Sequence, residues 1–219
     1  MRLAKLVALL LLAASFAAIS RAGPADFRAT REVVSPASDT RFERHRFELS
    51  LMTGALFSPA DLGENLFPRN KTNFDYTQTE LRAGLMLHSP WEAGLLRGNF
   101  ELLVGLGGGA VIHGPGTGVA NADLFVRYNF VQARALVVPY WQLGVGLFVS
   151  DVARDQSQRI IGRTVEFVVQ SGFGLRFLVD PAWSIDLEGV YEHVSNADTS
   201  SRNVGVNAFG ALLGATYSY

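Results

Sequence analysis

The chain has 219 residues, 48% hydrophobic and only 18% charged, with a formal net charge of −1, too apolar for a disordered segment and without a basic field for nucleic acid. It has no cysteine, which removes disulfide scaffolds, thiolate zinc sites and cysteine nucleophiles together. Its 22 glycines and 15 phenylalanines raise the question of where so much apolar surface goes.

Arg2 and Lys5 precede an apolar stretch over residues 6–19, and Ser20 and Ala22 stand at the minus-three and minus-one positions of a cleavage site. This pattern predicts a secretory signal peptide over residues 1–22. The alternative, an uncleaved helical anchor, needs roughly 20 apolar residues. Cleavage removes Arg2, Lys5 and Arg21 but no acid, so the mature chain is mildly acidic. Export without cysteine fits a bacterial envelope. Residues 23–44 read as a polar leader carrying Pro24 and Pro36. No later segment reaches 18 uninterrupted apolar residues, the length at which a helical span is read.

From residue 45 onward the hydrophobic period is two. Phe47, Leu49 and Leu51 oppose Glu48, Ser50 and Met52; Leu81, Ala83, Leu85 and Leu87 oppose Gln78, Glu80, Arg82 and Gly84. Phe100, Leu102, Val104 and Leu106 then oppose Glu101, Leu103, Gly105 and Gly107. Leu124, Val126, Tyr128 and Phe130 oppose Asp123, Phe125, Arg127 and Asn129. Trp141, Leu143, Val145 and Leu147 oppose Tyr140, Gln142, Gly144 and Gly146. In the sixth segment Phe167, Val169, Phe173, Leu175 and Phe177 oppose Glu166, Gln170, Gly172, Gly174 and Arg176. Ile185, Leu187 and Tyr191 oppose Asp186, Glu188 and Glu192; Phe209, Ala211, Leu213, Ala215, Tyr217 and Tyr219 oppose Gly210, Gly214, Thr216 and Ser218.

These are about eight strands, each with one apolar face and one face that mixes charge with glycine. A soluble sandwich also alternates, but it turns charged side chains to water and has little use for strand glycine. Charge and glycine sharing a face suit a narrow tube that side chains must fill without clashing. The apolar face then meets lipid, with Trp141, Tyr217 and Tyr219 as candidates for the interfacial aromatic girdle. Backbone groups in hydrocarbon need internal partners, so the sheet must close. The predicted fold is all-β, an eight-stranded antiparallel transmembrane β-barrel of the outer-membrane type over residues 45–219. Eight strands leave no room for a channel, which argues against a porin. The chain's last residue, Tyr219, ends the last strand, as the aromatic terminus of bacterial outer-membrane barrels does.

The seventh strand breaks the rule. Its lipid-facing parity runs Ile185, Leu187, Gly189, Tyr191, His193 and Ser195, putting two polar groups where polar groups are costly. Two residues apart on a strand, they project the same way with α-carbons roughly 6.5–7 Å apart, within reach of an imidazole–hydroxyl contact. Asn207 shares parity with Phe209 and Ala211, and a hairpin turning near Ser200 sets it opposite His193. Nucleophile, base and an orienting group would then meet on the outer wall, near an extracellular turn. The plainer alternative is that these residues sit in the interfacial region, where polar groups are tolerated.

The strings Tyr191-Glu192-His193-Val194-Ser195-Asn196-Ala197 and Asn203-Val204-Gly205-Val206-Asn207 resemble the signature of the lipid A 3-O-deacylase (PagL, acyloxyacyl hydrolase) family. That signature is His-x-Ser-Asn-Ala followed by Asn-x-Gly-x-(Asn or Glu) on the last hairpin of an eight-stranded barrel. The similarity is sharp over residues 183–219 and architectural elsewhere. It implies a serine esterase of the Gram-negative outer membrane that removes the 3-O-linked acyl chain of lipid A in lipopolysaccharide. By resemblance Ser195 is the nucleophile, His193 the general base and Asn207 the third member. Asn196, by side chain or backbone, helps hold the oxyanion. The implied partners are lipopolysaccharide and outer-membrane lipid, with no cofactor or metal; a homodimer is compatible with the sequence, which carries no signal for or against it.

Two positions depart from the family pattern. Asn207 stands where a glutamate is usual; an amide oxygen still accepts an imidazole N–H but does not stabilise an imidazolium as a carboxylate does. Asp198 stands where glycine is common. Glu188 and Glu192 point to the lumen by parity and read, with Asp186, Arg176 and Glu166, as barrel-filling ion pairs. Gly105 to Gly109 lack the helix and lysine of a phosphate loop, and His45, His88 and His113 lack metal-ligand spacing. The polar segments 65–73 and 150–163 read as loops, the second carrying Arg154, Arg159 and Arg163. The competing function is a non-catalytic structural or surface-binding barrel.

Overall fold

The computed structural model describes residues 40–58, 73–91 and 94–219; the expected signal peptide, most of the polar leader and nearly all of the 65–73 loop lie outside them. The alternating segments form eight antiparallel strands: β1 (Phe47–Phe57), β2 (Asp75–Met86), β3 (Asn99–His113), β4 (Gly118–Asn129), β5 (Val137–Ser150), β6 (Val165–Leu178), β7 (Trp183–Ser195) and β8 (Val206–Ser218). Each pairs with its sequence neighbour and β8 closes on β1, from Glu48↔Ser218 to Phe57↔Phe209. Closure gives every strand a partner on both sides, as a hydrocarbon medium demands. β3 runs beyond the glycines at which its alternation fades, because its ladder with β4 continues to Ala110↔Gly118.

The faces follow the parity read from the sequence. Leu51, Leu81, Leu106, Leu143, Val169 and Leu187 point outward and are exposed, while Arg82, Arg127, Arg176, Glu80, Glu101 and Glu188 are buried in the lumen. The lumen ions pair extensively. Arg82 bonds Glu80 at 2.8 Å and Glu188 at 2.9 Å; Arg176 bonds Glu48 at 2.6 Å and Asp186 at 2.8 Å. Arg127 reaches Glu48 at 3.3 Å and Glu101 at 3.5 Å, with its guanidinium 4.3 Å from the Tyr140 ring centre. Lumen glycines make room for this filling: a β-carbon on Gly84 would collide with Glu101, one on Gly105 with Glu80, and one on Gly174 with Tyr140.

Polarity fills only part of the tube. Met52, Leu56, Tyr76, Phe148, Val168, Val194, Val206 and Leu212 form an apolar cluster toward the end that carries the 151–164 and 196–205 connections, and Val152 and Ile161 join it from the first of these. A second cluster, Phe42, Met86, Val131 and Val138, seals the opposite end. Phe42 belongs to a 3₁₀ turn, Thr40–Phe42, just before the first strand. Arg41 of that turn bonds the Asp180 and Trp183 carbonyls. The polar lumen expected from the sequence is thus an ionic middle enclosed between two apolar plugs. Glu166 and Glu192 also differ from the expected ion pairs. Glu166 accepts from the Gly162 and Arg163 N–H groups, and Glu192 accepts from the Tyr76 hydroxyl at 2.5 Å.

The two longest connections, 58–74 and 151–164, leave one end, as extracellular loops do. Both ends of the sheet's chain, Phe47 and Tyr219, meet at the other, where Tyr219 N–H bonds the Phe47 carbonyl. There Trp183, Tyr217 and Tyr219 pack in sequence with ring centres 5.0 and 4.8 Å apart, forming part of an aromatic girdle. Trp141 donates from its indole nitrogen to Ser171 Oγ at 3.2 Å.

Removing a guanidinium from the ionic middle leaves carboxylates buried and unpaired. Arg82→Met is expected to destabilise the barrel by about 3–5 kcal/mol, read as a lowered urea midpoint in lipid vesicles. Lipid-facing Leu143→Met serves as the control, and equal midpoints for the two variants contradict the assignment.

Candidate active site on the last hairpin

β7 ends on Ser195 and β8 begins at Val206, so the hairpin's extracellular end carries every residue singled out from the sequence. Direct pairing sets His193 opposite Asn207 and Val194 opposite Val206, the register required by a turn near Ser200. On the other side His193 pairs with Val169 and Ser195 with Phe167 of β6. Val169 and Phe167 are exposed on the outer wall, so an apolar surface flanks the two polar residues. Behind them Val194, Val206 and Ala208 are fully buried in the apolar plug. This packing holds the backbone of both strands in one register.

His193 Nδ1 and Asn207 Oδ1 are 2.7 Å apart. The Tyr191 hydroxyl donates to the same oxygen at 2.8 Å, and its ring lies 4.9 Å from that of Phe209. Two donors therefore converge on one amide oxygen. An Nδ1–H donated to that oxygen leaves Nε2 as the bare, basic nitrogen of the ring. Ser195 is half-buried on the same face. No hydrogen bond joins its hydroxyl to the imidazole among the described residues.

Asn196 has the opposite parity and is buried. Its Nδ2 donates to Glu166 Oε1 at 3.2 Å and to the Arg202 carbonyl at 2.9 Å, and its N–H donates to Asn203 Oδ1 at 2.9 Å. The hairpin loop turns through Ala197 and Asp198, both left-handed with φ of 51° and 61°. This explains why glycine suits position 198, and aspartate is among the residues that tolerate the conformation best. Asn203 Nδ2 donates to the Asp198 carboxylate at 2.8 Å.

The 151–164 connection braces this hairpin. Val204 and Gly205 donate backbone hydrogen bonds to the Arg159 and Ile160 carbonyls. Arg202 bonds the Asp155 carbonyl at 2.8 Å, and Arg163 bonds the Thr199 carbonyl at 2.6 Å. The Ser157 hydroxyl and N–H hold the Asp155 carboxyl below the usual carboxylate range. A cleft of about 440 Å³ opens beside the hairpin loop, lined by Arg159, Asp198, Ser200, Ser201, Asn203 and Val204. All three arginines of this connection, Arg154, Arg159 and Arg163, are exposed, Arg163 tying the loop to the hairpin and Arg159 lining the cleft.

Two residues at the site carry a role that the sequence did not assign. Tyr191 shares the lipid-facing parity, so its ring reads as part of the apolar face and only its distance to Asn207 reveals the hydroxyl's role. Gly205 has φ of 77°, and a β-carbon there would lie 3.0 Å from the Val194 carbonyl oxygen, 3.6 Å from His193 Cε1 and 3.8 Å from Ser195 Cβ. Its missing side chain leaves open the space beside the His193 ring and the Ser195 side chain.

A family model described as lipid A 3-O-deacylase (PagL) matches residues 66–216. Among solved structures, that of the outer membrane enzyme PagL superposes with a TM-score of 0.50 at 18% identity, over 76% of this chain and 97% of the other. Neisserial surface protein A (NspA) superposes with a TM-score of 0.51 at 12% identity, over 78% and 95% of the two chains. The N-terminal β-barrel domain of Pseudomonas aeruginosa OprF gives a TM-score of 0.51 at 12% identity, over 80% and 98%. At these identities the structural likeness shows the fold alone. No curated protein matches the sequence significantly.

Gly205→Ala is expected to cost about 1–3 kcal/mol through the left-handed backbone. Gly189→Ala, on the same hairpin but facing only the Phe173 carbonyl oxygen at 3.8 Å, is expected to be tolerated. Urea midpoints of the two variants check this contrast, and its reversal contradicts the geometry described for Gly205.

Proposed function

Because the chain belongs to the lipid A 3-O-deacylase (PagL) family and is a Gram-negative outer-membrane barrel, we propose that Ser195, His193 and Asn207 hydrolyse the 3-O-acyl ester of lipid A. The observation that supports this most is the 2.7 Å contact of His193 Nδ1 with Asn207 Oδ1 on a wall that faces lipid. Soluble hydrolases draw substrate from water, and a barrel with a packed lumen has no inner site to offer. A substrate that is itself a membrane lipid reaches this site laterally, with its acyl chains along the outward apolar strip beside Phe167 and Val169.

The chemistry follows from the groups present. Ser195 Oγ attacks the ester carbonyl as His193 Nε2 takes the hydroxyl proton, while Asn207 Oδ1 holds the ring through Nδ1–H. The tetrahedral intermediate collapses, the sugar hydroxyl leaves with the proton from Nε2, and the acyl chain stays on Ser195. Water, deprotonated by the same nitrogen, then releases the fatty acid and restores the serine. Hydrogen bonds of this kind often form only with substrate bound, which fits the absence of a Ser195–His193 bond among the described residues. The oxyanion role expected of Asn196 falls to its backbone N–H, which the developing oxyanion takes over from Asn203. Every group in this scheme comes from one chain, so the reaction needs no second copy.

Lipid A from cells producing the protein is expected to lose the mass of one 3-linked acyl chain, while cells producing Ser195→Ala retain it. Identical mass spectra, with both barrels folded, overturn the proposal and favour a non-catalytic barrel. Labelling of Ser195 by a fluorophosphonate in detergent is expected for the wild type and not for His193→Ala. Asn207→Ala is expected to lower turnover at least tenfold, and undiminished turnover removes it from the site.

A further inference from the structure

We propose that Tyr191 is a positioning residue that sets the orientation of the Asn207 amide and, through it, the tautomer of His193. The proposal rests on the assignment of His193 and Asn207 to the active site. It begins from an asymmetry between carboxylates and amides. Both oxygens of a carboxylate accept hydrogen bonds, so either one directs the histidine to carry its proton on Nδ1. An amide has one accepting and one donating end. Turned the wrong way, it points an N–H at Nδ1, the ring proton moves to Nε2, and the base is lost from the side that faces Ser195.

Tyr191 biases that choice. It lies two residues before His193 on β7 and points the same way; its hydroxyl reaches the diagonal neighbour Asn207 at 2.8 Å, while its ring is held against its direct partner Phe209. With Oδ1 turned inward, the phenolic proton and the Nδ1 proton share one acceptor and both are satisfied. With the amide reversed, the phenol is left accepting from an amide N–H, and the hydrogen bond its own proton makes to the carbonyl oxygen, the better acceptor, is lost. The two donors together therefore select the orientation that keeps Nε2 bare. The acid usual in the family needs no such selection, and the tyrosine matters here because the third member is Asn207.

The test reads the tautomer directly. In the 15N-histidine-labelled barrel in micelles under mildly alkaline conditions, His193 is expected to carry its proton on Nδ1. Its signals are assigned by their absence from a His193→Gln barrel. Tyr191→Phe is expected to convert a substantial fraction to the Nε2–H form, and adding Asn207→Asp to restore Nδ1–H. An unchanged tautomer in Tyr191→Phe overturns the proposal whether or not any lipid is hydrolysed. A tautomer that responds in a barrel inactive on lipid A sustains the positioning role and refutes the deacylase reading. In an active barrel, Tyr191→Phe should lower kcat about threefold to tenfold at unchanged KM, the worth of one net hydrogen bond. That loss should shrink below about twofold in the Asn207→Asp background, where the orientation problem no longer exists. Equal losses in both backgrounds mark a merely structural tyrosine and overturn the proposal.

Discussion

In hydrocarbon a backbone N–H or C=O has only other backbone groups to bond, and the seam between β1 and β8 is where this chain meets that demand. Once Phe57 pairs with Phe209 and Glu48 with Ser218, the sheet has no edge. Eight strands fix a tube too narrow for water and wide enough for side chains. Everything else follows from that width. Inward positions must hold large groups beside very small ones, so Glu101 faces Gly84 and Tyr140 faces Gly174. Outward positions must be apolar, so any polar residue there needs a reason.

Filling the tube with ions is a demanding solution. A buried guanidinium contributes little net stability unless its partners are close and complete. Arg82 and Arg176 each meet two carboxylates within 2.9 Å, and Arg127 is stacked on Tyr140. The plugs of Phe42 and Met86 below and Met52, Phe148 and Ile161 above enclose this lattice. The upper plug has a second consequence. Val194, Val206 and Ala208 anchor in it from behind, and that anchoring holds His193 in register with Asn207 on the opposite surface. An enclosed interior and an ordered outer site are thus two faces of the same packing.

Much of this was legible in the sequence because a period of two carries the face of every residue with it. Strand number, the inward turn of Glu188 and Glu192, and the pairing of His193 with Asn207 all follow from parity plus the position of one turn. What escaped are features that parity does not encode. Met52, Tyr76 and Met86 share the inward parity of the charges, so the division of the lumen into ionic and apolar levels depends on height along the barrel. The tie of Gly205 to Ile160 joins loops 45 residues apart in sequence. The left-handed turn at Asp198 is hidden by a residue other than glycine, and the Tyr191 hydroxyl by an aromatic ring that suits lipid equally well.

The amide at position 207 fits the setting in which it is found. In the proposed reaction a carboxylate beside the imidazole would stabilise the imidazolium formed as Ser195 loses its proton, but it would carry a full charge on a wall facing lipid whenever the site is at rest. Desolvating such a charge is costly, and a neutral amide avoids that cost in the resting state. It gives up part of the stabilisation of the charged state in exchange, and it also gives up the symmetry that makes a carboxylate indifferent to rotation. A second donor on the same oxygen compensates for the lost symmetry but not for the lost charge. The combination of Tyr191, His193 and Asn207 is therefore built for orientation more than for electrostatic stabilisation. It suits a hydrolase whose substrate is already held at high local concentration in the plane of the membrane, and for which positioning counts for more than the strength of the base.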